Sequence, residues 1–458
     1  MTRRFLADPR SIWMYSNLKR AVGKGEKSPE GALFTEEFFA GKPWEVRIDN
    51  GYPNVFYDEE AELYRCYYTC FIRDPDSAAR SLAERKAAIY QPRSDRLTGL
   101  LYACSRDGIH WEKPSLGRVS FDGSKENNIV FIGAHGASVF FDKQETNPEK
   151  RYKLAMKYDL FGEMAISYSP DGLDWCEPIR WLEYNPAGDT HNFAFRDEVS
   201  GGFKIITRTW DGVRLSALCE SEDFLHWSQP EEILRGRDMD DQVYSMPVFR
   251  YGGLWFGLPS IFHGGDHGAK DFDRVDCELT FSRDLRHWER VAGKLIPRSD
   301  GAYGDAPDCG CIYASAPVFE NGRAVIYYMG GNGAHTNYRE SSLCRFEIDP
   351  DKLMGMEALP GKVGSLLTHG ISLDDEILLT ADLPEESRLR VAIVYDVDNL
   401  YAVPEQIPGF GFEDFVPEYR KDGKIHLRWN TPIEHLSGQK HSLLIEIEGG
   451  TLYTLVTD

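Results

Sequence analysis

The chain has 458 residues, 42% hydrophobic and 27% charged, which is globular composition with ample material for a buried core. Its formal net charge of −21 argues against a nucleic-acid partner, which needs a basic face, and against anionic membrane surfaces. The length suits one large domain plus a smaller one, or two to three average domains.

The first residues, MTRRFLADPRSIWMYS, are basic but lack an apolar core of signal-peptide length. No stretch approaches the length that spans a bilayer. The nine cysteines are odd in number and unpaired in spacing. Cys66, Cys104, Cys219, Cys277 and Cys344 sit in strand-like runs and read as small buried hydrophobes. Cys309 and Cys311 have no further thiols nearby to complete a zinc site. A reducing cytoplasm is the expected location. Residues 1–45 read as an irregular N-terminal arm with a short helix near 34–39, a candidate for self-association into a homo-oligomer.

From residue 46 the pattern changes to short β-like runs broken by Gly, Asp, Asn and Pro. A repeat then appears. Ser105-Arg-Asp-Gly-Ile-His-Trp111, Ser169-Pro-Asp-Gly-Leu-Asp-Trp175, Ser221-Glu-Asp-Phe-Leu-His-Trp227 and Ser282-Arg-Asp-Leu-Arg-His-Trp288 share Ser-x-Asp-x-x-x-Trp. Their starts are 64, 52 and 61 positions apart, so the repeat marks stacked supersecondary units of blade size. Ser and Asp side chains bond a tight turn's backbone and the Trp buries beneath it, so the motif is structural. It resembles the Asp-box of sialidase-type propellers, one residue shorter. A fifth unit, SAPVFEN, AVIYYMGG and SLCRFEID, lacks the motif. The expectation is all-β: a five-bladed β-propeller over 46–350, followed by a small C-terminal β-sandwich over 375–458. Residues 350–374 read as a Gly-rich connector. The charged, Ala-rich insertion at 73–96 is expected as a surface helix over the face where the strands begin.

Strand starts on that face converge on the propeller axis. They present Arg47, Asp49, Asn50 and Tyr52 from the first unit, His135 from the second, and Asp189, Thr190, His191 and Asn192 from the third. Asp240, Asp241, Gln242 and Tyr244 come from the fourth, and Asp305, Asp308 and Tyr313 from the fifth, with His263, His267 and His335 ending second strands. Any single Asp here is more often a turn residue; the joint pattern points to a pocket. Buried charge is costly, so several carboxylates aimed at a core imply a purpose. Glycosidic hydrolysis needs one acid for the leaving oxygen and one carboxylate as nucleophile or water activator.

The sequence also resembles the five-bladed propeller glycoside hydrolases of families 32, 43, 68 and 117, most of all bacterial family 32-like proteins. The likeness is carried by DNGYPNVFYD, SRDGIHWEKPSLG with GSKENNIVF, DTHNFAFRD, DQVYSMPVF and FEDFVPEYRKDGKIHLRW with LYTLV. It implies a carbohydrate-active enzyme. Three departures stand out. Tyr52, not an Asp, precedes Pro53; Arg196-Asp197-Glu198 replaces Arg-Asp-Pro; and Asp241-Gln242 stands near the usual Glu acid.

The leading expectation is an exo-acting glycoside hydrolase on a small oligosaccharide or glycoside, needing no cofactor. Asp49 is nucleophile or base, Asp189 with His191 orients and tunes, and Asp241 or Asp308 is the acid. Arg47, Asn50, Tyr52, Asn192, Tyr244 and His335 contact the sugar. The alternatives are a metal-dependent sugar lyase or hydrolase, with a divalent ion on His135, His191, His263 and His335, and a non-catalytic carbohydrate-binding propeller.

Overall fold

A computed structural model describes residues 2–373, 376–396 and 404–457. Nearly all regular structure in it is antiparallel β-strand. The first unit pairs Asn54–Asp58, Leu63–Arg73, Leu97–Ser105 and Ile129–Ile132 in that order. The second runs Ala134–Phe141, Tyr152–Tyr158, Glu163–Ser169 and Ile179–Arg180. The third runs Phe193–Arg196, Phe203–Asp211, Val213–Ser221 and Glu231–Arg235. The fourth and fifth units form one larger sheet, joined by a parallel bridge between Val275 and Cys311. Second strands such as Leu63–Arg73 are apolar on both faces and almost wholly buried, because neighbouring units cover both sides.

The starts of the units are linked in a circuit. Asn54 donates to the Ala137 carbonyl (2.9 Å), and the Ala194 amide donates to Ser138 Oγ (3.0 Å). Thr190 Oγ1 donates to the Tyr244 carbonyl (2.6 Å), and Ser260 Oγ to the Ile312 carbonyl (3.3 Å). The Val55 amide closes the circuit on Ser315 Oγ (3.2 Å). Each bond satisfies a buried polar group while fixing one unit against the next.

The arm is not irregular. Thr2–Phe5 pairs with Thr451–Thr457, Ile12–Ser16 with Val363–Thr368, and Leu18–Val22 with Met354–Ala358. Glu26–Lys27 and Phe34–Thr35 both edge Ser341–Ile348, so the short helix expected near 34–39 gives way to this strand and a 3-10 turn at Phe38–Ala40. The connector likewise becomes strands, Met354–Ala358, Val363–Thr368 and Ile371–Ser372. These runs find their partners from about 70 to more than 400 residues away, which local patterning cannot show. The boundary expected at 375 lies outside the described residues. Two C-terminal sheets bury Leu366, Ile393, Ile445, Leu379 and Leu455 together, and this core continues into Phe256 and Ile326 of the fourth and fifth units.

The insertion forms two four-residue helices, Pro75–Ala78 and Leu82–Arg85, the second closed by a capping box between Ser81 and Glu84. It is tied down: Arg85 faces Glu36 and Glu340, and the Tyr90 amide donates to Asn337 Oδ1 (2.9 Å).

The repeated turn is built as its residues dictate. In the second unit Asp171 Oδ1 accepts the amides of Leu173 and Asp174 (both 2.8 Å), Ser169 Oγ accepts Gly172 N–H (2.9 Å), and Trp175 Nε1 donates to the Gly172 carbonyl (3.1 Å). The fourth residue is left-handed in all four copies, as Gly108, Gly172, Phe224 and Leu285. Asp171→Ala is expected to lower unfolding stability by about 1–3 kcal/mol in urea titration, two amides losing their acceptor.

Candidate active site

Asp49, Gly51 and Tyr52 all have positive φ, so the chain doubles back tightly before Pro53 and the first inner strand. For Asp and Tyr this conformation costs on the order of 1–2 kcal/mol each, and surrounding bonds must hold it. They do: the Thr69 amide donates to the Gly51 carbonyl (2.6 Å) and Ser341 Oγ to the Asp49 carbonyl (2.6 Å).

The turn delivers Asp49 between two buried arginines. Arg339 Nη2 donates to Asp49 Oδ1 (2.9 Å) and to Asn50 Oδ1 (2.6 Å), while Arg47 Nε donates to the same Asp49 oxygen (3.0 Å). Arg47 also lies 4.0 Å over the Tyr90 ring of the insertion. Burial opposes charge on Asp49, but Arg339 and Arg47 outweigh it and hold the carboxyl well below the usual carboxylate range. Asn50 Nδ2 then donates to the hydroxyls of Tyr52 (2.7 Å) and Tyr244 (3.3 Å).

Around this network lies an aromatic floor. The Tyr52 ring is 5.7 Å from His191 and 5.8 Å from Tyr313; Tyr244 is 5.9 Å from Tyr313 and 4.8 Å from His335. Burial raises the Tyr52 and Tyr313 hydroxyls well above their ordinary values, so they act as neutral donors. Burial, then the charge of Arg339, pushes His335 well below its ordinary value, and the neutral ring shares a 2.6 Å hydrogen bond with Tyr313. Burial alone pushes His191 down to about 3; its Nε2 meets Asn54 Oδ1 at 3.1 Å.

On the other flank stands Asp189, its side chain half exposed. His135 Nε2 is 3.1 Å from Oδ1 and Arg208 Nη2 donates to Oδ2 (2.7 Å). Burial again opposes ionisation, and the His135 bond and the Arg208 charge override it, holding the carboxyl well below the usual range. The Arg208 guanidinium lies 5.0 Å over Tyr244, which links this flank to the floor.

The structure therefore brings Arg47, Asp49, Asn50, Tyr52, His135, Asp189, His191, Tyr244 and His335 into one connected cluster. Four expected positions fall outside it or serve another task. Asp241 is held by Arg290 (2.8 Å to each oxygen), a residue of the fourth unit's outer strand, and by Arg237 (2.6 Å). Asp308 pairs with Lys27 of the arm (2.6 Å) and Tyr328 (2.8 Å); burial opposes its charge, but the Lys27 bond holds the carboxyl below its ordinary value. Asn192 spends its amide on the Gly136, Gly188 and Thr190 carbonyls and on Thr207, leaving nothing for a ligand. His263 is held between Asp276 (2.9 Å) and the Asp240 carbonyl (2.5 Å). The four histidines thus have separate partners, and among the described residues no group of three or more His, Cys, Asp or Glu side chains is arranged to hold a metal ion.

Sequence reading passed over Arg208, Arg214 and Arg339. Arg208 and Arg214 flank the hairpin of ITRTWDGVR, and a charge inside an apolar strand run was the available signal. Glu36 was also missed. It accepts the Ile48 amide (2.9 Å) beside a cavity of about 570 Å³ that Phe38, Leu82 and Glu340 also line.

No protein-family model matches the chain, and no curated protein matches it. Among solved structures it is similar to an N-acetylgalactosamine deacetylase from F. plautii in complex with blood group B trisaccharide, at 16% identity and TM-score 0.44, over 74% of this chain and 97% of that one. A glycosyl hydrolase from Bacteroides ovatus aligns at 13% and 0.49, over 73% and 96%. The β-1,2-mannobiose phosphorylase of Listeria innocua aligns at 14% and 0.48, over 72% and 98%. At these values the likeness assigns neither activity nor site residues.

Burial, against the Ile48 amide and Arg85, pushes Glu36 up to about 7 from 4.5. The folded protein holds this proton while the unfolded chain releases it, so Glu36 makes stability fall as pH rises between those two values. In Glu36→Gln, melting temperatures between pH 5 and 7.5 are expected to show a shallower decline than in the parent protein.

Proposed function

We propose that this protein is a glycoside hydrolase acting on a small oligosaccharide or glycoside. The observation that carries the reading is the pair of ionised carboxylates, Asp49 and Asp189, on two flanks of one tyrosine- and histidine-lined floor. The Tyr52 and Tyr244 hydroxyls suit those of a sugar, and Asn50, its amide already shared among Arg339, Tyr52 and Tyr244, positions them.

The fold we propose is a five-bladed propeller, with the circuit of bonds between unit starts as support, followed by a β-sandwich into which the arm is woven. The insertion at 73–96 is a wall beside Asp49, which favours a closed pocket and exo action. A cytoplasmic location and assembly into a homo-oligomer belong to the same reading.

In the mechanism, Asp49 is the nucleophile or base. Both arginines bond its Oδ1, which leaves Oδ2 for the sugar carbon or a water. Arg47 and Arg339 keep it ionised. Asp189 orients His135, and this pair is the proton donor to the leaving oxygen, because Asp241 and Asp308 are bound elsewhere. Tyr52 and Tyr244 hold the sugar, and His335 positions Tyr313.

The test is a screen of aryl glycosides and oligosaccharides with the parent protein, Asp49→Asn and Asp189→Asn. Both variants are expected to lose at least about 100-fold in kcat/KM on whichever substrate is cleaved. Asp49→Asn also strands two buried arginines and should be destabilised by about 3–5 kcal/mol; the half-exposed Asp189 makes the cleaner variant. Full activity in folded Asp189→Asn removes it from the mechanism. Sugar binding without turnover of any substrate makes the protein a carbohydrate-binding propeller instead.

A further inference from the structure

The third unit ends its central hairpin at the rim of the site. Phe203–Asp211 and Val213–Ser221 pair in register, with Trp210 opposite Arg214 and Arg208 opposite Ser216. Period-two alternation puts Arg208, Trp210 and Arg214 on one face of the hairpin. Trp210 is half exposed at its tip, with the guanidinium of Arg208 5.3 Å and that of Arg214 4.8 Å from its ring centre. Arg214 is further packed over Tyr244 (5.4 Å) and Phe262 (5.0 Å), and Phe262 lies 4.9 Å from His335. The two arginines therefore adjoin the floor of the candidate site.

Their charge is not balanced locally. Arg208 is 2% exposed and meets one carboxylate, Asp189, through Nη2 alone; its Nε and Nη1 have no hydrogen-bond partner among the described residues. Arg214 donates to a neutral group, Gln242 Oε1 (2.9 Å), and its buried Nε is also without a partner among the described residues. Burial, and then Arg208 against the pull of Tyr244, makes Arg214 less basic than a free guanidinium. Across the cluster four arginines, Arg47, Arg339, Arg208 and Arg214, face the three carboxylates of Asp49, Asp189 and, 3.8 Å from His135, Asp159, while His191 and His335 are held neutral. This is a local positive excess inside a chain of net charge −21. Buried guanidinium N–H groups left without acceptors are costly, and guanidiniums are the usual receivers of carboxylate, sulfate and phosphate oxygens.

We infer that the site takes a sugar bearing an anionic substituent, with Arg214 and Arg208 receiving the anionic oxygens and Trp210 stacking on the ring. The inference rests on the glycosidase reading and names its substrate class. The shared chemistry is an anionic oxygen group; whether it is a uronic carboxylate, a sulfate ester or a phosphate ester is decided by the arms of the test.

D-glucose, D-galactose and D-mannose are each compared with their uronic acid, 6-sulfate and 6-phosphate by isothermal titration calorimetry. The comparison uses the full chain, Arg214→Met and Arg214→Lys. At least one anionic member is expected to bind tenfold or more tightly than its neutral parent. Arg214→Met should abolish that preference and Arg214→Lys restore part of it, with Trp210→Ala weakening acid and parent alike. Equal or better binding of the neutral sugars, no binding of any anionic member, or a preference unchanged in Arg214→Met overturns the inference. Cleavage of neutral glycosides that is lost in Asp189→Asn, together with no anion preference, would overturn this inference while leaving the glycosidase reading standing. Anion binding without turnover of any glycoside would do the reverse.

Discussion

The candidate site hangs on one buried contact, the ion pair between Arg339 and Asp49. Arg339 is fully buried, and a guanidinium in that position needs partners for its charge. Its two terminal nitrogens meet the Asp49 carboxylate, the Asn50 amide oxygen and the carbonyls of Ala334 and His335, while its Nε has no hydrogen-bond partner among the described residues. Arg339 and Asp49 are 290 residues apart in the chain, in the loop before the last strand of the fifth unit and at the start of the first. The pair therefore joins the two ends of the circuit. It also holds the left-handed turn at 49–52 in a shape that Asp and Tyr would not adopt unaided.

From this contact the rest follows by saturation of polar groups. Asn50, fixed by Arg339, has two amide protons left and gives them to Tyr52 and Tyr244. Those rings, with Tyr313 and His335, form a floor that is apolar on its faces and polar at its edges. The same low-polarity surroundings keep His191 and His335 uncharged and the tyrosines protonated. The carboxylates escape this trend because arginine stands beside each. Ionised Asp49 and Asp189 thus coexist with neutral His191 and His335 in one cluster.

Some of this is legible in the sequence. The Ser-x-Asp-x-x-x-Trp turns are local, so their bonding follows from side chains two to six residues apart, and each copy is built as those residues dictate. Tyr52, Asn50 and Asp49 could be named because a carboxylate and aromatics crowd one strand start. Asp241 and Asp308 look the same in sequence. What separates them is the cation each one meets: Arg290 on an outer strand and Lys27 of the arm. The arm and the 350–374 segment were opaque for a related reason: their strands are short and their partners lie at the other end of the chain.

By itself the sequence determined the all-β character, the repeated units and the strand starts that carry polar side chains, since these depend on alternation and turn chemistry within about ten residues. Tertiary structure alone decided which of those side chains share a site, which are ionised, and which arginines face them without a full complement of anions. Charge state and hydrogen-bond saturation are set by neighbours in space, and here those neighbours come from every unit of the circuit.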